Sequence, residues 1–407
     1  MKYNSLYGKI FNYEEEYSKR DLIRLEGMDY DTSIFKIPKI YKYAIDLMFK
    51  HHTLTYSDFS GLARFKKLIS DYENFLAEIK NKENFVFIGS GVSNLVYPTI
   101  EAILKLGTNK NRRKIITFEP DYPIFHTCIK QLNAKVLSIK GKRENNFLVN
   151  FNGIKKIMRN NKDQVCAIIF SYPNNPTCNF QDKIFFKKLI QICQKNNIFI
   201  VSDEIYRDTL YNKDNYINIA KLNGSYKNFI RLYGWSKDRP GMTGMRCGYI
   251  IGDKILESHI FNNQVIRNFS GNIIAEYVFM IDIALRYYKL TGTKFIDLKY
   301  FPQKLIDEYY KIIQSNADRQ IKFNKNILSV IKNNKNIIDY IEPKCGNSIL
   351  IKYKDNLNAK KFNREMIKKG LAIYPCDCFS FPDIAGCWGR ICITKKLNYL
   401  INGINKI

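Results

Sequence analysis

The chain has 407 residues and carries 65 Lys+Arg against 38 Asp+Glu, a formal net charge of +27. A hydrophobic content of 45% and an aromatic content of 14% exclude a disordered chain, and the length allows two domains with a substantial core. The basic excess is spread along a Lys-, Asn-, Ile- and Tyr-rich sequence, and its densest run, Lys110-Asn111-Arg112-Arg113-Lys114, leads straight into an apparent strand, so nucleic acid is not an expected partner.

Residues 1 to about 35 read as a polar arm, acidic around Glu14-Glu15-Glu16, with Gly27 as its turn signal. From about 38 to 80 the pattern is helical, broken by a loop at 53–61. Short β-rich runs then alternate with helix-length amphipathic stretches. The strand-like runs are 84–88, 114–118, 135–139, 165–170, 198–201, 229–232 and 248–251. Helical stretches at 94–106, 124–131, 151–159 and 182–195 separate most of them. Such alternation argues for an α/β fold with a mainly parallel sheet covered on both faces. A nearly proline-free stretch from about 272 to 336 reads as helices leading into a second, smaller domain. There, strands at 348–353, 372–374 and 389–394 surround a helix at 359–369. The expected division is a large domain at 38–290 and a small one formed by 1–37 with 291–407.

No apolar run approaches the ~18 residues a membrane span needs. The polar start, Met1-Lys2-Tyr3-Asn4-Ser5, is unlike a signal peptide, so a cytoplasmic location is expected. Ten cysteines in a chain of this size read as buried thiols and not as a disulfide framework. Cys376, Cys378, Cys387 and Cys392 lack paired C-x2-C spacing, and His51-His52 lie far away in sequence, so no metal is expected.

The chemistry gathers in a few motifs. Gly89-Ser90-Gly91-Val92-Ser93-Asn94 joins a strand to a helix, where small residues expose backbone N–H groups and a positive dipole end to a phosphate. Tyr172-Pro173-Asn174-Asn175-Pro176-Thr177 follows the strand ending at Phe170. The run Phe199 to Val201 ends in Ser202-Asp203-Glu204-Ile205-Tyr206; it looks like a Walker B strand, but no P-loop precedes it. Trp235-Ser236-Lys237 follows the next strand, then Gly244-Met245-Arg246-Cys247-Gly248-Tyr249, and Gly389-Arg390-Ile391 comes near the end. Ligands of parallel α/β sheets bind at the carboxyl ends of the strands, where Asn175, Asp203 and Lys237 fall. In a Lys-rich chain a lysine defaults to the surface, and Lys237 is set apart by its neighbours. It serves as a nucleophile only if desolvated and near cations. An Asn, an Asp, a Tyr, a Lys and two Arg in that order supply most of what pyridoxal phosphate (PLP) needs.

In these motifs and their order the chain resembles the fold-type I PLP-dependent enzymes, and among them the class I/II aminotransferases, from about Gly27 to Arg390. The resemblance implies a mainly parallel seven-stranded sheet sandwiched by helices, with a smaller α+β domain. It assigns Gly91, Val92, Ser93, Ser236 and Arg246 to the cofactor phosphate, and Tyr122 to stacking on its ring. Asp203 would pair with the pyridine nitrogen, while Asn175 and Tyr206 would face the phenolic oxygen. Lys237 would hold the aldehyde and shuttle the proton. Gly27, Asn175 and Arg390 would meet the substrate, with Arg390 gripping its α-carboxylate bidentately. Tyr56 would reach the phosphate in a partner subunit, which implies a homodimer. The implied activity moves the amino group of an amino acid to a 2-oxo acid. The alternative is elimination, cyclisation or oxidation of an amino acid on the same scaffold, a guanidino amino acid among the candidates. Departures from the family pattern are Gly234 in place of a hydroxyl residue, one extra residue between Lys237 and Arg246, Cys178 after Asn175-Pro176-Thr177, and Pro375-Cys376-Asp377-Cys378-Phe379.

Overall fold

The computed structural model describes residues 5–51, 54–80, 83–106, 112–379 and 388–407; Lys110, Asn111, the Thr53 start of the expected loop, His52 and Cys387 lie outside them. Where a polar arm was expected, the chain opens with a 13-residue helix, Leu6–Ser18. Ser5 caps it, its hydroxyl accepting from Gly8 N at 2.9 Å. Leu6, Ile10, Tyr13 and Tyr17 recur at helical spacing, a stripe that the acidic run Glu14-Glu15-Glu16 disguises in the sequence. The buried Tyr17 pins the helix down by donating to Ile373 O at 2.7 Å. A two-residue strand, β1 (Ile23–Arg24), follows.

The predicted strands of the larger sheet all form, each lengthened or shifted by no more than two residues. They are β2 (Asn84–Gly89), β3 (Lys114–Glu119), β4 (Lys135–Lys140), β5 (Val165–Ser171), β6 (Phe199–Asp203), β7 (Phe229–Gly234) and β8 (Gly248–Asp253). Their order is β2-β8-β7-β6-β5-β3-β4 in a seven-stranded sheet. β8 is antiparallel to both neighbours, and every other pairing is parallel. β5, β6 and β7 are buried along their whole length because helices cover both faces, whereas β4 at the edge is partly exposed. Local capping sets the helix starts: Asp182 accepts from Phe185 N at 2.7 Å to begin Lys183–Lys195, and Asn150 accepts from Asn152 N at 2.9 Å to begin Phe151–Asn161.

Helices Ile273–Thr291 and Gln303–Asn333 lead into the smaller sheet. The strands of this part are β9 (Ile337–Ile341), β10 (Ser348–Tyr353), β11 (Leu371–Ala372), β12 (Tyr374–Pro375) and β13 (Trp388–Cys392), all but β11 in that sheet, with a helix at Ala359–Lys368. β12-β13-β10-β9 form an antiparallel sheet, while β11 pairs in parallel with β1. The single strand expected at 372–374 is thus divided, Ala372 pairing with Arg24 and Tyr374 with Arg390. β9 was not predicted. Leu25 and Phe35 share a core with Ile349, Ile373 and Ile391, so the N-terminal segment packs on the C-terminal part. Among the described residues no helix is long and apolar enough to cross a membrane.

This topology sets up the site. The carboxyl ends of β2, β3, β5, β6 and β7 share one edge of the sheet. Because β8 runs the other way, its amino end lies there too and delivers Arg246.

Candidate active site

At that edge a cavity of about 360 Å³ opens between the larger sheet and the C-terminal part. Val92 and Ser93 enter it from the first turn of the helix Val92–Leu106, so the positive end of the helix dipole faces in. Gly91 has φ +86°, and a Cβ there would come within 2.8 Å of Arg246 Nη2; the missing side chain lets the guanidinium lie against the backbone. Arg246 is exposed in the single chain and donates to Thr243 O at 3.5 Å. Ser93 Oγ and the Tyr122 hydroxyl are 2.9 Å apart.

Asn175, Asp203 and Tyr206 line the same cavity. The Asn175 backbone N–H donates to Ser171 Oγ at 2.9 Å. Asp121, buried beside them, accepts from Tyr122 N at 2.7 Å and from Ser171 N at 3.0 Å, and so ties the β3 and β5 ends together. Asp203 ends β6 and accepts from Ile205 N at 3.2 Å. Burial pushes its carboxyl up to about 7, against the opposing pull of that N–H and of Lys237. Tyr206 is buried and donates to Met28 Sδ at 3.5 Å.

Lys237 lies in the turn after β7, and its carbonyl accepts from the Tyr30 hydroxyl at 3.1 Å. Burial, and then the Arg390 charge, push its amine down to about 8. Arg390, on β13, is buried without a carboxylate partner among the described residues. Nη1 donates to Asn175 Oδ1 at 3.5 Å and Nη2 to Glu26 O at 3.3 Å, while Nε has no hydrogen-bond partner. Its guanidinium lies over the Phe379 ring at 4.8 Å and the Tyr374 ring at 5.4 Å.

The structure therefore brings Val92, Ser93, Tyr122, Asn175, Asp203, Tyr206, Ser236, Lys237, Arg246 and Arg390 around one cavity. Gly91 abuts it behind Arg246. Gly27 stands apart from the lining, its carbonyl accepting from Thr394 Oγ1 at 3.1 Å. Tyr56 is 81% exposed away from the cavity, its ring edge-on to Phe269 at 5.4 Å. Sequence reasoning missed Tyr7 and Ile10 from the first helix, and Met28, Thr243 and Tyr374. Ser5 ahead of a helical apolar stripe was the available signal for the first two; the others carry no spacing signature.

The departures from the family pattern have local causes. A Cβ on Gly234 would approach Cys247 O at 3.1 Å and Val92 Cγ2 at 3.2 Å, which leaves little room for a larger residue. Cys178 keeps a left-handed backbone, φ +52°, that glycine adopts freely. In the lengthened Lys237–Arg246 segment, Arg239 Nε reaches Asp282 Oδ1 at 2.7 Å and anchors the turn in the helix Ile273–Thr291.

Known proteins resemble this chain in family and in fold. The family model for aminotransferase class I and II matches residues 21–404. An aspartate aminotransferase of Bacillus sp. (strain YM-2) is 28% identical over 211 residues, 52% of this chain and 51% of that protein. An LL-diaminopimelate aminotransferase of Nitratidesulfovibrio vulgaris is 30% identical over 143 residues, 35% of this chain and 36% of that protein. The chain thus spans about half the length, or less, of these two relatives. An aspartate aminotransferase structure from Thermus thermophilus superposes with a TM-score of 0.81 at 16% identity, covering 100% of this chain and 96% of the other. With a family match over nearly its whole length and the same fold, the chain belongs to the aminotransferase class I and II family.

Proposed function

We propose that the protein is a PLP-dependent aminotransferase that moves the amino group of an amino acid to a 2-oxo acid. The observation that carries this reading is the convergence of Lys237, Asp203, Arg246 and Arg390 on one cavity, none of them ion-paired with another described residue. The donor set fits the cofactor. The helix end at Val92 and Ser93, with Ser236 and Arg246, would take the phosphate. Tyr122 would lie against the ring, Asn175 and Tyr206 would face the phenolic oxygen, and Asp203 would hold the proton on the ring nitrogen. Once bound, the cofactor supplies the electron sink for a carbanion at the substrate Cα.

The chain's own groups do the rest. With its amine lowered to about 8, Lys237 is partly neutral near pH 7, so it can hold the cofactor aldehyde and later take the proton from Cα. Arg390 has an unpartnered Nε and two long hydrogen bonds to neutral oxygens, capacity that an α-carboxylate would take up bidentately. Residues 38–290 would form the cofactor-binding unit, and 1–37 with 291–407 the smaller one, a division supported by the β1–β11 pairing. Tyr56, with Phe59 and Phe269, forms an exposed apolar patch that supports a homodimer. The cysteines among the described residues are buried free thiols, which fits a reducing cytoplasm.

Single turnover of the PLP-loaded protein with an amino acid tests the activity. The expected products are the 2-oxo acid and pyridoxamine phosphate. Free ammonia, oxygen consumption or a cyclised product in their place would overturn aminotransfer in favour of elimination, oxidation or cyclisation.

A further inference from the structure

The cavity wall has two halves of different chemistry. If the protein is the aminotransferase proposed above, a reading on which this inference rests, the ring, phosphate and aldehyde of the cofactor account for the residues from Val92 to Arg246. The part around Arg390 is lined by Tyr7, Ile10, Met28, Tyr374 and Phe379. None is charged. Tyr374 donates to Glu14, Met28 Sδ accepts from Tyr206 at 3.5 Å, and the Tyr7 ring stands edge-on to Tyr122 at 6.0 Å. Apart from the Tyr7 hydroxyl, these five residues offer the space ring and aliphatic surface.

The cations lining the cavity among the described residues are Lys237, Arg246 and Arg390. They are taken up by the aldehyde, the phosphate and the α-carboxylate respectively. Within one chain, none is left over for a carboxylate on the substrate side chain. Asp203 is the acidic side chain in the lining, and the ring nitrogen takes it, so a cationic side chain also lacks a partner. A charge placed among these apolar residues would be desolvated without compensation, whereas an apolar side chain gains from burial.

The roof is built to stay in place. Tyr7 and Ile10 are three residues apart on one face of the helix Leu6–Ser18. Its position is held by Tyr17 donating to Ile373 O at 2.7 Å, by Lys9 pairing with Asp377 at 3.0 Å, and by Tyr7 N donating to Thr127 Oγ1 at 3.4 Å. Tyr374 and Phe379 are fixed by the guanidinium they flank.

We propose that the amino-acid substrate carries a large apolar side chain, aromatic or long aliphatic, and that Tyr7 and Ile10 of the first helix select it. Two measurements test this. The first is kcat/KM of the PLP-loaded protein for phenylalanine, leucine, aspartate, glutamate and arginine. Phenylalanine or leucine should exceed the charged substrates about 100-fold, and Tyr7→Ala should lower the phenylalanine-to-alanine ratio about tenfold. The second needs no turnover: 3-phenylpropionate should bind the PLP-loaded protein at least about tenfold tighter than glutarate by calorimetric titration. Preference for aspartate, glutamate or arginine overturns the inference, as does an unchanged ratio in Tyr7→Ala or tighter binding of glutarate. If no amino acid is transaminated and 3-phenylpropionate still binds more tightly, the apolar selectivity stands and the aminotransferase reading falls.

Discussion

Two groups of charge, buried except at Asp208, lie on either side of the Lys237 turn, and they are assembled in opposite ways. In the first, Asp208, Asp238 and Asp282 interleave with Arg239 and Arg286. Arg239 reaches Asp282 at 2.7 Å, and Arg286 reaches Asp208 at 2.6 Å and Asp238 at 2.9 Å. Tyr41 and Tyr309 also donate to Asp282, at 2.6 and 2.8 Å. Burial alone would raise Asp282, but Arg239 and Arg286 outweigh it and hold the carboxyl at about 2. In the second group, around the cavity, Asp203 rises to about 7 and Lys237 falls to about 8, because burial acts on each without a close partner of opposite charge. In the first group every carboxylate has a guanidinium partner, and the group belongs to the fold. The second is left open, the pattern expected where a ligand completes the charges.

The paired cluster should show the largest loss when a member is removed. Arg286→Met should leave Asp208, Asp238 and Asp282 short of a cation and cost about 3–5 kcal/mol of stability, read by chemical denaturation. Asp203→Asn should do the reverse, lowering turnover roughly 10²–10³-fold while leaving the cofactor-free protein at least as stable as before. If both variants lost stability equally, the distinction between the two groups would be wrong.

Stability against pH should separate the two groups again. With Asp203 raised to about 7 in the folded state, the folded protein binds more protons than the unfolded one between the ordinary aspartate range and pH 7. Its stabilising contribution is therefore present at low pH and lost as the pH rises through that window. The stability advantage of Asp203→Asn in the cofactor-free protein should grow from about pH 4 to 7 and then level off. Lys237, lowered to about 8, works in the opposite direction: stability gained from it should increase between about pH 8 and 10.5 and vanish in Lys237→Ala. The smallest effect expected is at the surface. Tyr56→Phe should weaken PLP binding roughly two- to tenfold, the worth of one hydrogen bond, with the protein still folded.

Much of the larger sheet was legible because its strands are short apolar runs separated by amphipathic helices, and the ends of those runs carry the motifs. Asp203 and Lys237 could be placed at strand ends from their position behind such runs. The first helix was obscured by Glu14-Glu15-Glu16, and β9 by its exposed edge position, where Ile338 is 56% accessible and no continuous apolar run marks a strand. Tyr7, Ile10 and Tyr374 were illegible as site residues for a different reason. Their role comes from packing between the two ends of the chain, with Tyr374 bonded to Glu14, and an aromatic side chain looks the same in a core as in a pocket. Arg239 and Asp282 were equally silent, since a buried ion pair leaves no local pattern.

Lys237 stands out as the amine left available for the cofactor, whereas the charges of the neighbouring cluster are already engaged with one another. Borohydride reduction of the PLP-loaded protein, followed by peptide mapping, puts this to the test. The expected result is a single modified peptide carrying the label on Lys237, absent from Lys237→Ala. A label on another lysine, or a protein that takes up no PLP, would contradict it.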